Sequence, residues 1–127
     1  MQTRLFGKSG QMVSSIGFGM WPIGGTIKKG DYGVTDFDEA IRSIQLALDE
    51  GITLFDTAPA YGNGLAEEIL GKALEGRRDK AFITTKCGIY YDFEKEIWIR
   101  DSSHKAIVRS AEQSLKRLRT DVIDLLL

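Results

Sequence analysis

Short β-rich runs alternate with segments of helical periodicity along this chain, and the alternation constrains the fold more than any other feature. The β-rich runs fall within the first twenty residues and at 52–56, 81–85 and 122–127. A helical or loop segment lies between each run and the next. Strand and helix alternation is typical of right-handed βαβ units on a parallel sheet. The sequence therefore predicts an α/β fold with about four parallel strands and three helices.

Capping signals mark where the predicted helices begin. Asp36 followed by Glu39 predicts a capping box at the start of the first helix. The apolar positions that follow at helical spacing are Ile41, Ile44 and Leu48. The second helix is predicted at 66–74, and either Ser102 or Ser103 is expected to cap the third.

Turn residues and charged stretches define the remaining segments. Two short β-rich runs flank the glycine-bounded turn 7–10 and predict an N-terminal β-hairpin. The polar stretch that leads up to Asp36 predicts a loop. The charged stretch between Lys86 and Arg100 predicts a long loop after the third strand of the sheet.

Two architectures share this pattern, a doubly wound sheet and part of a (β/α)8 barrel. A doubly wound dinucleotide-binding domain carries G-x-G-x-x-G between its first strand and first helix. Here Gly17-Phe18-Gly19 is followed by Met20-Trp21-Pro22, and the proline breaks the expected helix entry. The missing fingerprint favours the barrel.

Charge and composition argue against several kinds of partner. The chain has 17 basic and 18 acidic residues, mixed along its length, so we expect neither nucleic acid nor a membrane surface as a partner. No run reaches the roughly 18 consecutive apolar residues of a membrane span. The one cysteine, Cys87, and the absence of an apolar leader segment predict a cytoplasmic protein.

Three polar side chains, Asp56, Tyr61 and Lys86, stand at or just after the ends of predicted strands. A (β/α)8 barrel builds its active site at those ends. A carboxylate buried at Asp56 would need a cationic partner, which Lys86 on the next strand can supply. A lysine beside a tyrosine hydroxyl stabilises the phenolate, so that Tyr61 could give a proton to a substrate carbonyl. On spacing alone, a purely structural Asp–Lys pair with a packed tyrosine fits equally well.

The segment that holds these residues is long and specific. Residues 56–71, DTAPAYGNGLAEEILG, resemble the D-T-A-x-x-Y-G-x-x-x-x-E-x-x-x-G signature of the aldo-keto reductases. The segments 17–21 and 83–86 resemble the family's first strand and its lysine strand, and 114–118 with 123–127 resemble its third helix and fourth strand. The resemblance implies that residues 1–127 form the N-terminal half of a (β/α)8 TIM barrel domain, whose floor the N-terminal hairpin closes.

The resemblance also implies a reaction in which NADPH reduces a small-molecule aldehyde or ketone. Tyr61 would be the general acid, Lys86 would tune it, and Asp56 would pair with Lys86. The positions that correspond to the family's contacts around the nicotinamide ribose are Gly19, Met20, Trp21 and Asp56. Trp21 either walls the substrate pocket or simply covers the core. No metal site is expected.

Two positions depart from the family pattern. Ala66 stands where many relatives have serine, which predicts the loss of a helix-capping hydroxyl. The family's catalytic histidine follows the run of leucines at 125–127, where this sequence stops. His104, beside the start of the third helix, is expected to lie in solvent and not to replace it. Cys87 is expected to be a buried, small apolar residue.

The length raises a question about activity, because a complete barrel takes about 250 residues. In half a barrel the first and fourth strands are open edges, so we expect this chain to be inactive alone, and to self-associate or bind a complementing half-barrel. One alternative function is a nucleotide-binding regulatory subunit that resembles channel β subunits. Another is a non-functional gene fragment.

Overall fold

The chain begins with a β-hairpin, in a computed structural model that describes residues 1–26 and 32–127. Strands β1 (Thr3–Leu5) and β2 (Met12–Ser14) pair antiparallel. Gly7 and Gly10 in the turn both have positive φ, a backbone conformation that residues other than glycine adopt only at an energetic cost. The predicted N-terminal hairpin is confirmed.

The remaining helices and strands follow the predicted alternation except for β6 and β7. In chain order they are β3 (Gly17–Gly19), α1 (Phe37–Asp49), β4 (Leu54–Asp56), α2 (Leu65–Ala73), β5 (Phe82–Thr85), β6 (Ile89–Asp92), β7 (Ile97–Arg100), α3 (His104–Leu118) and β8 (Leu125–Leu126). Short 3-10 turns lie at Trp21–Gly24 and Arg78–Lys80.

The central sheet contains four parallel strands in the order β3-β4-β5-β8. Phe18 lies opposite Phe55, and Phe55 lies opposite Ile83. Each strand is next to the one that precedes it in this sheet, without the reversal of order that defines a doubly wound sheet. Within the described residues, β3 and β8 are the open edges. The arrangement is that of the N-terminal half of a (β/α)8 barrel.

A single apolar core lies between the sheet and the three helices. Phe55 and Ile83 contribute the sheet side, and Ile44, Leu70 and Leu118 contribute the sides of α1, α2 and α3. Burying a side chain of this size stabilises the fold by about 1.5–3 kcal/mol. No helix in the described ranges is long and apolar enough to cross a membrane.

The helix starts agree with the capping signals. The Asp36 side chain accepts a hydrogen bond from the N–H of Glu39 at 2.9 Å, and Ser103, rather than Ser102, caps α3 by accepting from the N–H of Ala106. Part of the loop predicted before Asp36, at 27–31, lies outside the described residues.

The prediction of a plain loop between Lys86 and Arg100 was wrong. Strands β6 and β7 form an antiparallel hairpin there, with Tyr91 opposite Trp98. The Asp92 side chain accepts the N–H groups of Glu94 and Lys95 and closes the turn. The charged residues that suggested a loop belong to this turn, and the β-branched and aromatic residues on either side form the strands.

Strand β4 starts at Leu54 rather than at the predicted Ile52, because the backbone groups that precede it have other partners. The N–H of Ile52 donates to the Ala47 carbonyl and so completes the end of α1. Thr53 is bound by the hairpin, since its Oγ1 accepts the Ser14 N–H and its own N–H donates to Ser14 Oγ, both at 2.9 Å. These bonds attach the N-terminal hairpin to the start of β4, at the floor of the sheet.

Candidate active site

The carboxyl ends of β4 and β5 bring Asp56 and Lys86 into contact. The two strands are parallel, with Asp56 opposite Thr84, so Lys86 lies just beyond the paired residues. Side chains alternate between the faces of a strand, and buried Thr85 points toward the helices, so Lys86 points to the other face. Lys86 Nζ donates to both carboxylate oxygens of Asp56, at 2.8 and 2.9 Å.

Tyr61 completes a three-residue cluster around the ammonium group. Lys86 Nζ lies 3.1 Å from Tyr61 Oη and 3.0 Å from the carbonyl oxygen of Thr57, and 4.8 Å from the centre of the Tyr61 ring. An ammonium has three protons. The Asp56 carboxylate, the Thr57 carbonyl and the Tyr61 phenol oxygen provide one acceptor for each proton. These three hydrogen bonds hold the ammonium group in place.

The electrostatics of the cluster favour a charged lysine. Burial lowers the pKa of Lys86, but its hydrogen bonds to Asp56 and Tyr61 outweigh that effect and hold the pKa above the ordinary value of 10.5. Lys86 therefore keeps its positive charge beside the phenol at neutral pH.

The Asp56 carboxylate has the cationic partner that the sequence suggests for an acid at the end of an apolar strand, but it is only partly buried. The Asp56 side chain is 44% exposed, and that of Lys86 is 33% exposed. Both lie on the face of the sheet turned away from the helices, at the end of the strands opposite to the one where Phe6 of the hairpin turn packs on Phe82. Solvent therefore reaches the ion pair and weakens its contribution to stability.

The loop that carries Tyr61 is held by backbone contacts on both sides. The Tyr61 N–H donates to the Ala58 carbonyl at 3.0 Å, and its own carbonyl accepts from the Ala66 N–H at the start of α2. Gly62, at φ +63°, faces Gly24 so closely that a Cβ there would lie 1.7 Å from the Gly24 carbonyl oxygen. Two glycines thus let the turn after β3 rest directly on the Tyr61 loop.

The turn after β3 brings Trp21 next to the cluster. The Trp21 ring stacks on the Tyr61 ring at 6.1 Å with an interplanar angle of 18°, and 51% of Trp21 is exposed. The alternative that Trp21 merely covers the core was therefore wrong. The tryptophan forms one wall of the surface beside the phenol.

The other two residues predicted near the nicotinamide ribose differ in what they can offer a ligand. Gly19 is exposed, and no described atom lies within 4 Å of a Cβ built on it. The side chain of Met20 is fully buried in the apolar core, and its N–H donates to the Asp56 carbonyl at 2.9 Å. The Met20 carbonyl oxygen accepts the N–H of Ile23 at 3.1 Å, so Met20 exposes neither its side chain nor its backbone to a ligand in this structure.

Three further expectations have different outcomes. Ala66 is not at a capping position, because Gly64 is the N-cap of α2 and Ala66 is buried inside the helix; the predicted loss of a capping hydroxyl was wrong. His104 is exposed at the first residue of α3, as expected. Cys87 is half-buried rather than buried, because it follows the paired residues of β5 at the open rim.

The buried acid Glu67 was not identified from the sequence. Glu67 is fully buried, and its carboxylate accepts hydrogen bonds from Thr85 Oγ1 and Arg117 Nε, both at 2.6 Å. The sequence does contain an indication of this burial, because Glu67 lies on α2 next to the apolar, buried positions Ile69 and Leu70. An acid so placed needs a partner, which the sequence does not identify.

The chain is similar to known proteins over most of its length. The profile of the Aldo/keto reductase family matches residues 15–127. Aldo-keto reductase YhdN of Bacillus subtilis (strain 168) is 47% identical over 119 residues, which are 92% of this chain and 34% of that protein. The chain therefore spans about a third of the length of this relative.

Solved structures show the same fold. Aldo-keto reductase AKR11C1 from Bacillus halodurans, in its holo form, superposes with a TM-score of 0.86 at 38% identity and covers 99% of this chain and 39% of its own. An aldo-keto reductase from Klebsiella pneumoniae in complex with NADPH superposes with a TM-score of 0.70 at 29% identity over 92% of this chain and 35% of its own. The matched profile, the relative and the half-barrel together show that this chain belongs to the aldo/keto reductase family.

Proposed function

We propose that this chain carries the proton-donating part of an active site that reduces an aldehyde or ketone to an alcohol with NADPH. The observation that supports the proposal is the position of the Lys86 ammonium, which is hydrogen-bonded to the Asp56 carboxylate and to Tyr61 Oη at once. In the proposed roles Tyr61 is the general acid, Lys86 stabilises the phenolate that it leaves, and Asp56 holds Lys86 in place.

The cluster suits proton donation because of where the charges lie. Reduction of a carbonyl places negative charge on its oxygen, and a proton delivered to that oxygen lowers the barrier. Giving up the phenolic proton leaves a negative charge on Tyr61 Oη, 3.1 Å from a lysine that is already positive. The attraction lowers the free energy of the phenolate, and Asp56 keeps the lysine from turning away.

The residues around the cluster fit the nicotinamide end of the cofactor. The partly exposed Asp56 carboxylate can accept a hydrogen bond from a ribose hydroxyl, and the exposed Trp21 ring offers a flat wall. No described atom lies within 4 Å of a Cβ built on Gly19, so a ligand has room there. When bound, NADPH supplies the hydride for the reduction. Support for this cofactor comes from the Klebsiella pneumoniae relative in complex with NADPH.

We propose that the 127-residue chain alone does not turn over a carbonyl. Electrostatic stabilisation in an active site depends on excluding water. Here the Asp56–Lys86 pair is partly exposed, and β3 and β8 leave the described sheet open at both edges. Oxidation of NADPH by the chain with a simple aldehyde, dependent on Tyr61, would contradict this proposal.

A chimera tests the catalytic roles directly. Joining this chain to the remaining two thirds of the YhdN relative, with which it shares 47% identity, supplies the rest of a barrel. We expect aldehyde-dependent NADPH oxidation by the chimera, and a loss of about 10²–10⁴-fold in kcat for Tyr61→Phe, the range typical of a general acid. Tyr90→Phe, at an exposed position on β6, is the matched control and should leave kcat unchanged.

Two outcomes count against the proposal. A chimera in which Tyr61→Phe and Tyr90→Phe have the same rate would show that Tyr61 does not donate the proton. A chimera that binds NADPH tightly but oxidises none of it with any aldehyde would favour the nucleotide-binding regulatory alternative.

A further inference from the structure

Glu67 lies in a position that its contribution to stability does not explain. Its carboxylate is fully buried between α2, β5 and α3, and its partner Arg117 is 21% exposed. Removing two charges from water costs several kcal/mol each, and apolar residues of similar volume often serve as well or better. The neighbouring positions of α2 are in fact apolar and buried. A role in precise placement accounts for the ion pair better than stability does.

The bonds of Glu67 connect the two segments that carry the active-site cluster. Glu67 is the third residue of α2, directly after the loop of Tyr61, whose carbonyl accepts a hydrogen bond from the α2 backbone. Its Oε1 accepts from Thr85 Oγ1 at 2.6 Å, and Thr85 directly precedes Lys86. The carboxylate touches neither Tyr61 nor Lys86. It acts on the backbone segments to which both are attached.

The Thr85 contact has a directional consequence for Lys86. Successive side chains of a strand point to opposite faces. Holding the Thr85 hydroxyl on the helix side of β5 therefore holds Lys86 on the opposite side, toward Asp56 and Tyr61. Arg117 neutralises the carboxylate from α3 and reaches it across Gly64, where a Cβ would lie 2.5 Å from Arg117 Cδ.

We propose that Glu67 is a positioning residue that, through Thr85, fixes the start of α2 against the end of β5 and so holds Lys86 Nζ within hydrogen-bonding distance of Tyr61. This inference rests on the function proposed above for the Lys86–Tyr61 pair. It assigns to the buried acid a role in the geometry of proton donation rather than in substrate contact.

The test is an NMR titration of the Lys86 side chain in the 127-residue chain, with the signal assigned by Lys86→Met. The pKa of Lys86 reports its hydrogen bonds, because these hold it above 10.5. Thr85→Val removes the hydroxyl and keeps the shape, and Glu67→Gln removes the charge. In both variants we expect the pKa of Lys86 to fall. The acid ionisation constant of Lys86 should therefore rise by about threefold or more. Thr85→Ser should restore the wild-type value.

A matched control separates positioning from general destabilisation. Asp124 accepts bonds from the Ile83 N–H and from Arg78 at the opposite end of β5, far from the cluster. Asp124→Asn should lower the melting temperature and leave the pKa of Lys86 unchanged.

Two results would overturn the inference at different levels. If Thr85→Val leaves the pKa of Lys86 at its wild-type value, Glu67 has only a structural role. The Thr85→Val result settles this question even if the Glu67→Gln variant does not fold. If Tyr61→Phe leaves the pKa of Lys86 unchanged, the Lys86–Tyr61 contact itself is absent in solution, and the proposed function fails rather than the role of Glu67 alone.

Discussion

Replacing Gly62 with alanine would test whether the contact between two loops holds Tyr61 in place. The added Cβ would lie 1.7 Å from the carbonyl oxygen of Gly24, and this oxygen belongs to rigid backbone rather than to a flexible side chain. The turn after β3 would have to move away by more than about 1 Å, because close-packed interiors leave no spare space. The stacking of Trp21, which lies in that turn, on Tyr61 would be lost with it.

The size of the effect follows from two separate costs. Gly62 has φ +63°, and a residue with a Cβ in this left-handed region costs about 1–2 kcal/mol. Displacing packed backbone costs about 1–3 kcal/mol more. The free energy of unfolding should therefore fall by about 2–5 kcal/mol, a large part of the 5–15 kcal/mol typical of a folded domain. Gly10→Ala is the matched control, since Gly10 also has positive φ, at +77°, and no described atom within 4 Å of the added Cβ.

Urea denaturation followed by circular dichroism measures the global cost, and tryptophan fluorescence measures the local one. In a Trp98→Phe background the emission comes from Trp21 alone, since the chain has two tryptophans. We expect Gly62→Ala to shift that emission to longer wavelength and Gly10→Ala to leave it unchanged. Equal losses of stability in the two variants, with the same Trp21 emission, would refute the argument that the loops are in direct contact.

Two further predictions concern the core and the ion pair. Ile44→Ala, at a fully buried position of α1, should lower the free energy of unfolding by about 2–5 kcal/mol, whereas Leu46→Ala, exposed on the same helix, should change it by less than about 0.5 kcal/mol in urea melts. The raised pKa of Lys86 contributes stability that is complete below the unfolded-state value of 10.5 and is lost as pH rises through the folded-state value. We expect the melting temperature to fall more steeply in the wild type than in Lys86→Met as the pH is raised past 10.5. Parallel curves of melting temperature against pH would contradict this.

The elements of the fold were predictable wherever local pattern and capping chemistry agreed. Asp36 and Ser103 cap helices close to where the sequence predicts them, because a cap depends on residues within one turn of it. The hairpin β6–β7 was missed because the charged residues of its turn suggested a loop, and its two strands are too short to show a clear β pattern. The capping role of position 66 was misjudged because Gly64, in a left-handed conformation, serves as the N-cap of α2 without a side-chain hydrogen bond.

The candidate site was predictable in its members but not in its surroundings. Residues at the carboxyl ends of parallel strands meet at one edge, so position along the chain was enough to group Asp56, Tyr61 and Lys86. Their exposure depends on what covers the sheet, which no local pattern encodes. The same holds for Met20, which the family resemblance places near the nicotinamide ribose, while its side chain packs in the core.

The sequence by itself determined the order of strands and helices, the three residues of the cluster and the family to which they point, because periodicity and motif spacing are local properties. Tertiary structure alone decided that Glu67 meets Arg117, fifty residues away, and that Gly62 meets Gly24. Contacts of this kind depend on how whole elements pack against one another. A residue carries its own charge and shape in the sequence, but the partner that satisfies them is chosen only when the chain folds.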